Sequence, residues 1–362
     1  MLYISALLVD VFDLTKKRSK IVLFISLMLL WVLYAFSSGN ADEITNKARF
    51  YMSSNFIGMT EPGYALIMRA FNSIGVSFEF YKMIIAAFEL LLISSTVVKF
   101  TKNYNFVFGL YLIFPFCMDV VQMRETLALS IVVFSLRFLF IHSNKKYDKN
   151  NTYFVLCIIL ASMFHSSSLI YMFLLIAKKF DVKQVIGLSL GIALAGLILI
   201  TPTTITLIGK IINMSGKVTG LLFKLDAVSW RVTRMTLFRI FVYFLLFLLL
   251  YYLIKSKSAL DGGNKKKLDF ALKCNIVILI IIPLIKYSVD FYRCQISLSI
   301  LNYICFADTL SSEKKGKINM RNALIIIACV IVSIVNLYFL VINNNNINTV
   351  FYPLFKNNLL YK

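Results

Sequence analysis

TYFVLCIILASMFHSSSLIYMFLLIA, residues 152–177, is an apolar run of 26 residues with a polar break, Phe164-His165-Ser166-Ser167-Ser168, at its middle. Lysine clusters flank it: Lys145-Lys146/Lys149 before and Lys178-Lys179/Lys183 after. A spanning helix needs about 20 residues, so the run is long enough for one crossing and too short for two full ones. Lysine-rich loops stay in the cytoplasm, yet a single crossing would put one of the two clusters outside. Two short or broken helices that meet at His165 satisfy both constraints. Irregular backbone at that depth survives only where it lines a water-filled cavity, which sets His165 beside one. One long tilted helix carrying an interfacial histidine is the alternative.

The rest of the chain is of the same kind. Of its 362 residues 59% are hydrophobic and 15% charged, with a mean hydropathy of +0.80. A soluble domain carries about 25% charge and 45–50% apolar residues. The composition therefore excludes a soluble enzyme, a disordered chain and a disulfide scaffold. The expected fold is an all-α polytopic integral membrane protein, one transmembrane domain over 1–362, with about 10–12 transmembrane or half-spanning helices. Apolar runs fall at about 2–14, 21–38, 79–98, 105–118, 125–141, 152–177, 184–201, 236–254, 270–286, 291–307 and 322–342. The first contains Asp10 and Asp13 and is followed by Lys16-Lys17-Arg18. That order is wrong for a cleaved signal peptide and fits a short helix with its N-terminus outside. Alternation then turns 39–78, 119–124, 202–235, 287–290 and the tail 343–362 outward.

The formal charge of +21 would suggest nucleic acid in a soluble protein. Here the basic residues sit between apolar runs, where they act as topology signals, so no nucleic-acid partner is expected. The cysteines Cys117, Cys157, Cys274, Cys294, Cys305 and Cys329 lie in or beside apolar runs without metal-ligand spacing, and read as small buried or lipid-facing residues. With only two histidines in the chain, neither a metal centre nor a cofactor is expected.

Sorting the basic residues by side is more informative than their sum. Lysines dominate the inward clusters, whereas Arg49, Arg69, Arg124, Arg231, Arg234, Arg239 and Arg293 fall outward or in outer halves of helices. Outward arginines oppose the topology signal. Their planar fork of donors suits bidentate phosphate or carboxylate recognition, so an anion site on the extracytoplasmic face is expected; interfacial snorkelling is the alternative for Arg234 and Arg239. Arg124 and Glu125 open the run at 125, near the bilayer boundary, where ionisable residues are functional candidates. Glu125 is equally explained as a carboxylate at a helix N-terminus. Asp290 and Arg293 are three apart and can pair on one helix face. In 39–64, Asn40, Asp42, Glu43 and Glu61 are sugar-compatible groups, and Tyr51 and Tyr64 are candidates for stacking on a pyranose. Pro62-Gly63 marks a turn into an amphipathic helix at about 64–75, too polar to span. Segment 202–235, with Lys210, Lys217, Lys224, Arg231 and Arg234 against Asp226, reads as a basic lid or as a loop docked on lipid headgroups.

Several of these residues, taken in order, resemble the EpsG family, a branch of the Wzy-type polysaccharide polymerases. They are Asn40-Ala41-Asp42, Glu61-x-Gly63-Tyr64, Arg124 with Ala128, Lys146-Tyr147, Phe164-His165-x-Ser167, Arg293 and the late Tyr352-Pro353. The resemblance covers about 1–310 and the tail. It departs at Ser168, where alanine is usual, and over 185–280 it rests on hydropathy alone. It implies a GT-C-like architecture in the cytoplasmic membrane and a substrate of undecaprenyl-diphosphate-linked oligosaccharide. A sugar hydroxyl of one unit would attack the anomeric carbon of the growing chain and release undecaprenyl diphosphate. It further implies a chain-length regulator and a flippase as partners. On this reading Arg124 and Arg293 clamp the diphosphate with help from Arg231 or Arg234. His165 is the base or orienter, with Glu61 and Asp42 as rivals, and Asn40, Tyr64, Glu125 and Ser167 line the substrate site. A flippase or transporter of lipid-linked glycans and a glycan ligase are the competing functions. A membrane acyltransferase, which relies on buried histidines, fits less well with His142 at a helix end and only His165 remaining.

Overall fold

The computed structural model describes residues 19–53, 61–140, 148–211, 230–256, 262–310, 320–342 and 347–361. The run 2–14 with Asp10 and Asp13, the pair Lys146-Tyr147, and Lys217, Lys224 and Asp226 of the expected lid lie outside the described residues. What is described is helical, apart from one isolated bridge between Ser37 and Asn358.

In chain order the helices are α1 Lys20–Ala35, α2 Glu43–Tyr51, α3 Pro62–Ser73, α4 Phe78–Phe100, α5 Tyr104–Ile113, α6 Phe116–Val121, α7 Met123–Leu139, α8 Lys149–Phe164, α9 Leu174–Lys179 and α10 Val182–Leu199. There follow α11 Pro202–Ile211, α12 Trp230–Lys255, α13 Gly262–Val277, α14 Ile282–Ile285, α15 Arg293–Ile296, α16 Ser299–Leu310, α17 Met320–Leu337 and α18 Tyr352–Lys356. Local chemistry sets many of the starts. Ser19, Ser77 and Asp148 accept from backbone N–H groups of the first turns of α1, α4 and α8, and Asp181 with Gln184 forms a capping box on α10.

Among the described residues, four helices are long and apolar enough to cross a bilayer: α4, α10, α12 and the stretch Gly262–Ile285 that joins α13 to α14. The remaining apolar runs fold as shorter or interrupted helices. Pro115 splits the run at 105–118 into α5 and α6, because proline lacks the N–H that a continuous helix needs. The expected loop 119–124 is accordingly helical, formed by the end of α6 and the start of α7. Residues 230–235, expected in an outer loop, are the first turns of α12. Trp230 and Val232 extend the apolar helix past the basic residues Arg231 and Arg234, which made the segment read as loop.

The run at 152–177 breaks where its polar residues predict. Helix α8 stops at Phe164, and His165 is extended, at φ −150° and ψ 116°. The chain returns through a 3-10 helix, Ser166–Phe173, into α9. Lys178 at the end of the return leg donates to Asp148 Oδ2 at 2.6 Å and to Asn151 Oδ1 at 2.7 Å, both at the start of α8. The two lysine-flanked ends therefore lie together, with His165 at the far tip. Each leg is about 24 Å long from the rise per residue of α and 3-10 helix, slightly less than the roughly 30 Å hydrocarbon core.

The described lysine cluster at 265–267 and the end of α4 meet at the same end. Lys267 donates to Phe100 O (3.1 Å) and Asp308 Oδ2 (2.6 Å), and Lys273 to Phe180 O (3.1 Å). Inside the bundle, buried polar side chains bond between helices, as expected where apolar surface alone cannot choose partners. Asn275 on α13 donates to Asn302 Oδ1 on α16 at 2.8 Å, and Tyr303 on α16 reaches Phe114 O at 3.0 Å. Helix α10, only 11% buried over its apolar window, turns Leu190, Leu197 and Ile198 outward, the surface of a helix facing lipid.

At the end opposite the lysines, the C-terminal segment clasps the turn between α1 and α2. Leu359 N donates to Phe36 O at 2.7 Å, and Ala41 N to Thr349 O at 3.1 Å. Gly39, at φ +80°, passes Asn357 closely enough that a Cβ would lie 3.0 Å from its side-chain nitrogen, so glycine meets both a backbone and a space requirement there.

Candidate active site

Helix α3 begins with Pro62 at its first position, where proline's missing N–H costs nothing. Gly63 follows, and a Cβ on it would meet Met163 Cβ at 2.9 Å and Met163 O at 3.1 Å. The absent side chain lets the start of α3 rest directly on the last turn of α8. This contact seats Glu61, the residue before α3, beside His165, the residue after α8.

Glu61 is 7% exposed and its carboxylate bridges two groups. Oε1 lies 3.0 Å from His165 Nδ1, and Oε2 accepts a hydrogen bond from Arg124 Nη1 at the start of α7. A carboxylate can only accept, so Nδ1 of His165 carries the proton between them, and in the neutral imidazole Nε2 keeps its lone pair. The His165 and Arg124 side chains are 25% and 30% exposed, against 8% for that of Glu61. The arrangement is a half-open cluster of one carboxylate, one imidazole and one guanidinium.

A second cluster adjoins it through the chain. Glu125, next to Arg124, accepts from Arg293 Nη1 at 3.1 Å, and Arg293 Nη2 lies 3.3 Å from Asp290 Oδ1. Gln122 completes it: with its amide oriented to satisfy both ends, it donates to Glu125 Oε2 at 3.1 Å and accepts from Arg293 Nη2 at 3.1 Å. Both sequence readings of these residues are therefore partly realised. Asp290 and Arg293 do pair, and Glu125 does sit in the first turn of a helix, but Glu125 is also the bridge to Arg293. The return leg lies between the clusters, with Tyr171 Oη donating to Cys294 O at 3.2 Å and Ser167 beside the Cys294 thiol.

The remaining expected residues lie in different settings. Asn40 is buried, its Oδ1 accepting from Asp42 N at 3.1 Å, and shapes the turn held by the C-terminal segment. Asp42 is exposed at the start of α2. Tyr64 is 1% exposed with its ring edge-on to Tyr81 at 6.4 Å. The expectation that it stacks on a sugar is corrected: its faces are spent on the core. Arg231 and Arg234 are exposed on α12 and, among the described residues, neither joins the two clusters. Arg69 donates to Ser53 O at 2.8 Å and ties α3 to the end of α2. Arg49, by contrast, is half-buried, within electrostatic reach of Arg124. Burial first, and next the Arg124 charge, hold its guanidinium below the ordinary arginine value.

Sequence reading gave no role to Gln122, although it immediately precedes Arg124-Glu125 and opens α7. It also gave none to Asp119, buried under the site and accepting from Tyr111 Oη at 2.8 Å. Asp119 is an acid inside an apolar stretch, which was signal enough. No group of metal-ligating side chains is found among the described residues.

The fold and the site define a class: an all-α membrane protein whose buried carboxylate joins a histidine and an arginine at one end of the bundle. The EpsG family model matches residues 20–355, nearly the whole chain. The chain belongs to the EpsG family, which is a family of Wzy-type polysaccharide polymerases, and its function is accordingly of the polysaccharide-polymerase kind. No curated protein and no solved structure matches it.

Proposed function

We propose that this protein joins lipid-linked oligosaccharide repeat units into a capsular or exopolysaccharide at the outer face of the cytoplasmic membrane, on a GT-C-like scaffold, releasing undecaprenyl diphosphate. The observation that carries the reading is Glu61 bridging His165 and Arg124 at the end of the bundle remote from the lysine clusters. If those clusters face the cytoplasm, this end faces out.

The reaction needs a base and an anion clamp. A hydroxyl of the incoming unit attacks the anomeric carbon of the growing chain. The new C–O bond forms as the bond to the diphosphate breaks, and the hydroxyl proton passes to the protein. His165 Nε2 is suited to take it, because Glu61 fixes the other ring nitrogen as the protonated one and stabilises the imidazolium that results. Glu61 is then the orienter, with its oxygens committed to His165 and Arg124. The leaving diphosphate gains charge as the bond breaks, and preorganised donors aimed at developing charge lower that barrier. Arg124 and Arg293 each retain N–H groups beyond those bonded to their carboxylates. Ser167, beside Cys294, and the exposed Asp42 are groups able to bond sugar hydroxyls.

The test is genetic and chemical. His165→Ala or Arg124→Ala abolishes polymer while protein level and single-unit glycan persist. Normal chain length in both variants removes the assignment.

A further inference from the structure

We infer that Gln122 is a positioning residue of this site: its amide, shared between Glu125 and Arg293, holds the Arg293 guanidinium in place for the leaving diphosphate. What Arg293 touches rests on the polymerase reading; the socket that holds it does not.

The first observation is a closed ring of bonds. Gln122, in the orientation that satisfies both ends of its amide, accepts from Arg293 Nη2 at 3.1 Å and from Nε at 3.2 Å, and donates to Glu125 Oε2 at 3.1 Å. Arg293 Nη1 donates to that same oxygen at 3.1 Å. On the other side Arg293 Nη2 lies 3.3 Å from Asp290 Oδ1, and Ser288 Oγ donates to Asp290 Oδ2 at 3.1 Å. A guanidinium has five N–H donors. Gln122 takes two of them, Glu125 one and Asp290 one, which leaves a single hydrogen on Nη1. Arg124, bonded through Nη1 to Glu61, keeps more donors open. With one donor to offer, Arg293 depends on its aim, and Arg124 depends on it much less.

The second observation is the backbone under the socket. Gln122 N donates to Met118 O at 3.1 Å and to Asp119 O at 3.2 Å, and Gln122 O accepts from Thr126 N at 2.9 Å. Thr126 Oγ1 donates to Asp119 O at 2.8 Å, and the Asp119 carboxyl is held by Tyr111. The amide therefore projects from a fixed point. Helix capping does not explain it, because the Gln122 side chain makes no bond to the N–H groups of the first turn of α7. The residue type follows from the two neighbours. A group between a guanidinium and a carboxylate must accept from one and donate to the other, and an amide does both in one plane. Glutamate at 122 would still accept from Arg293, but it could not donate, and its charge would face that of Glu125.

The consequence is kinetic. Charge on the diphosphate grows as its bond to the anomeric carbon breaks, so a hydrogen bond from Arg293 strengthens toward the transition state. Losing its aim then lowers kcat and weakens binding of the free diphosphate, with little change in KM. A purely structural role, in which Gln122 only stiffens the junction of α6 and α7, disturbs stability and KM together.

The experiment combines kinetics with chemical rescue in the purified full-length protein. Gln122→Ala is expected to lower kcat for glycan lengthening about tenfold or more, the loss typical of a charge-assisted bond, with KM within about twofold of wild type, and Gln122→Glu to lower kcat further. Gln122→Met, which keeps the length without the polar atoms, answers the question if the alanine variant does not fold. Arg293→Ala leaves a socket of Gln122, Glu125 and Asp290. Millimolar guanidinium chloride is expected to restore part of its rate, where sodium chloride at equal concentration does not, and the double variant with Gln122→Ala to need about tenfold more guanidinium for the same rescue. Equilibrium binding of radiolabelled farnesyl diphosphate, followed in parallel, is expected to show the same dependence on Gln122 and on guanidinium. A kcat within twofold of wild type in the folded Gln122 variants overturns the inference, as does rescue of Arg293→Ala that is absent or independent of Gln122. Gln122-dependent farnesyl diphosphate binding by a protein that never lengthens glycan keeps the positioning role and overturns the polymerase reading instead.

Discussion

Replacing Glu61 by Gln keeps the shape of the side chain and removes the charge that bridges Arg124 and His165. Two charge-assisted hydrogen bonds are at stake, each contributing about 1.5–3 kcal/mol. The amide oxygen retains part of one of them. Its NH2 group cannot accept from a protonated Nδ1, so His165 loses the partner that fixes its tautomer. A net loss of about 3 kcal/mol follows, a little over two decades in rate at about 1.4 kcal/mol per decade. Arg124→Gln removes the same bridge from its other end. The two losses are therefore not independent: the double variant is expected to be little slower than the worse single one, with a coupling of about 2 kcal/mol. The assay is the rate of glycan lengthening by purified variants at saturating lipid-linked unit, with protein amount and fold checked by gel filtration and circular dichroism. An E61Q rate within threefold of wild type refutes the reasoning, as does a cycle additive to within about 0.5 kcal/mol.

Gly63→Ala puts a methyl group 3.1 Å from a backbone oxygen of α8; the resulting separation of Glu61 from His165 lowers activity at least tenfold at a stability cost of about 1–3 kcal/mol, read by rate and thermal melting together. Asp148, bonded to Lys178, is held below the usual carboxylate range. Its folded-state pKa is depressed, so its contribution is full at neutral pH and is lost as the pH falls below about 4. Asp148→Asn melts lower than wild type at pH 7, and the difference narrows on acidification; a difference independent of pH contradicts this. Single cysteines at Asn150 and Lys179, in a background lacking the native ones, label only from the cytoplasmic side, and one at Asp42 only from outside. Opposite accessibility of the first two would undo the hairpin at His165.

Much of this fold was legible because polar residues inside apolar runs have few explanations. The break at Phe164-His165-Ser166 between two lysine clusters favoured a hairpin over one long tilted helix, and the Asp148–Lys178 pair shows both ends together. Arg124, Glu61 and His165 were legible as candidates one by one. Their contact was not, since it depends on Gly63 letting α3 rest on α8, and a glycine in a turn motif reads first as a turn. Tyr64 misled because an aromatic near a polar loop looks available until packing against Tyr81 uses it. Segment 230–235 misled because basic residues at a helix start read as loop. The pairing of the arginines with carboxylates was invisible from composition: outward arginines suggested uncompensated charge, whereas Arg124 and Arg293 are both paired.

The most direct test of the central claim uses purified protein in liposomes supplied with a single lipid-linked repeat unit on its exposed face. Wild-type protein is expected to produce a ladder of glycan lengths with release of polyprenyl diphosphate, and His165→Ala and Arg124→Ala to produce neither. A ladder from both variants contradicts the site, and a wild-type protein that moves the unit across the bilayer without lengthening it contradicts the polymerase itself.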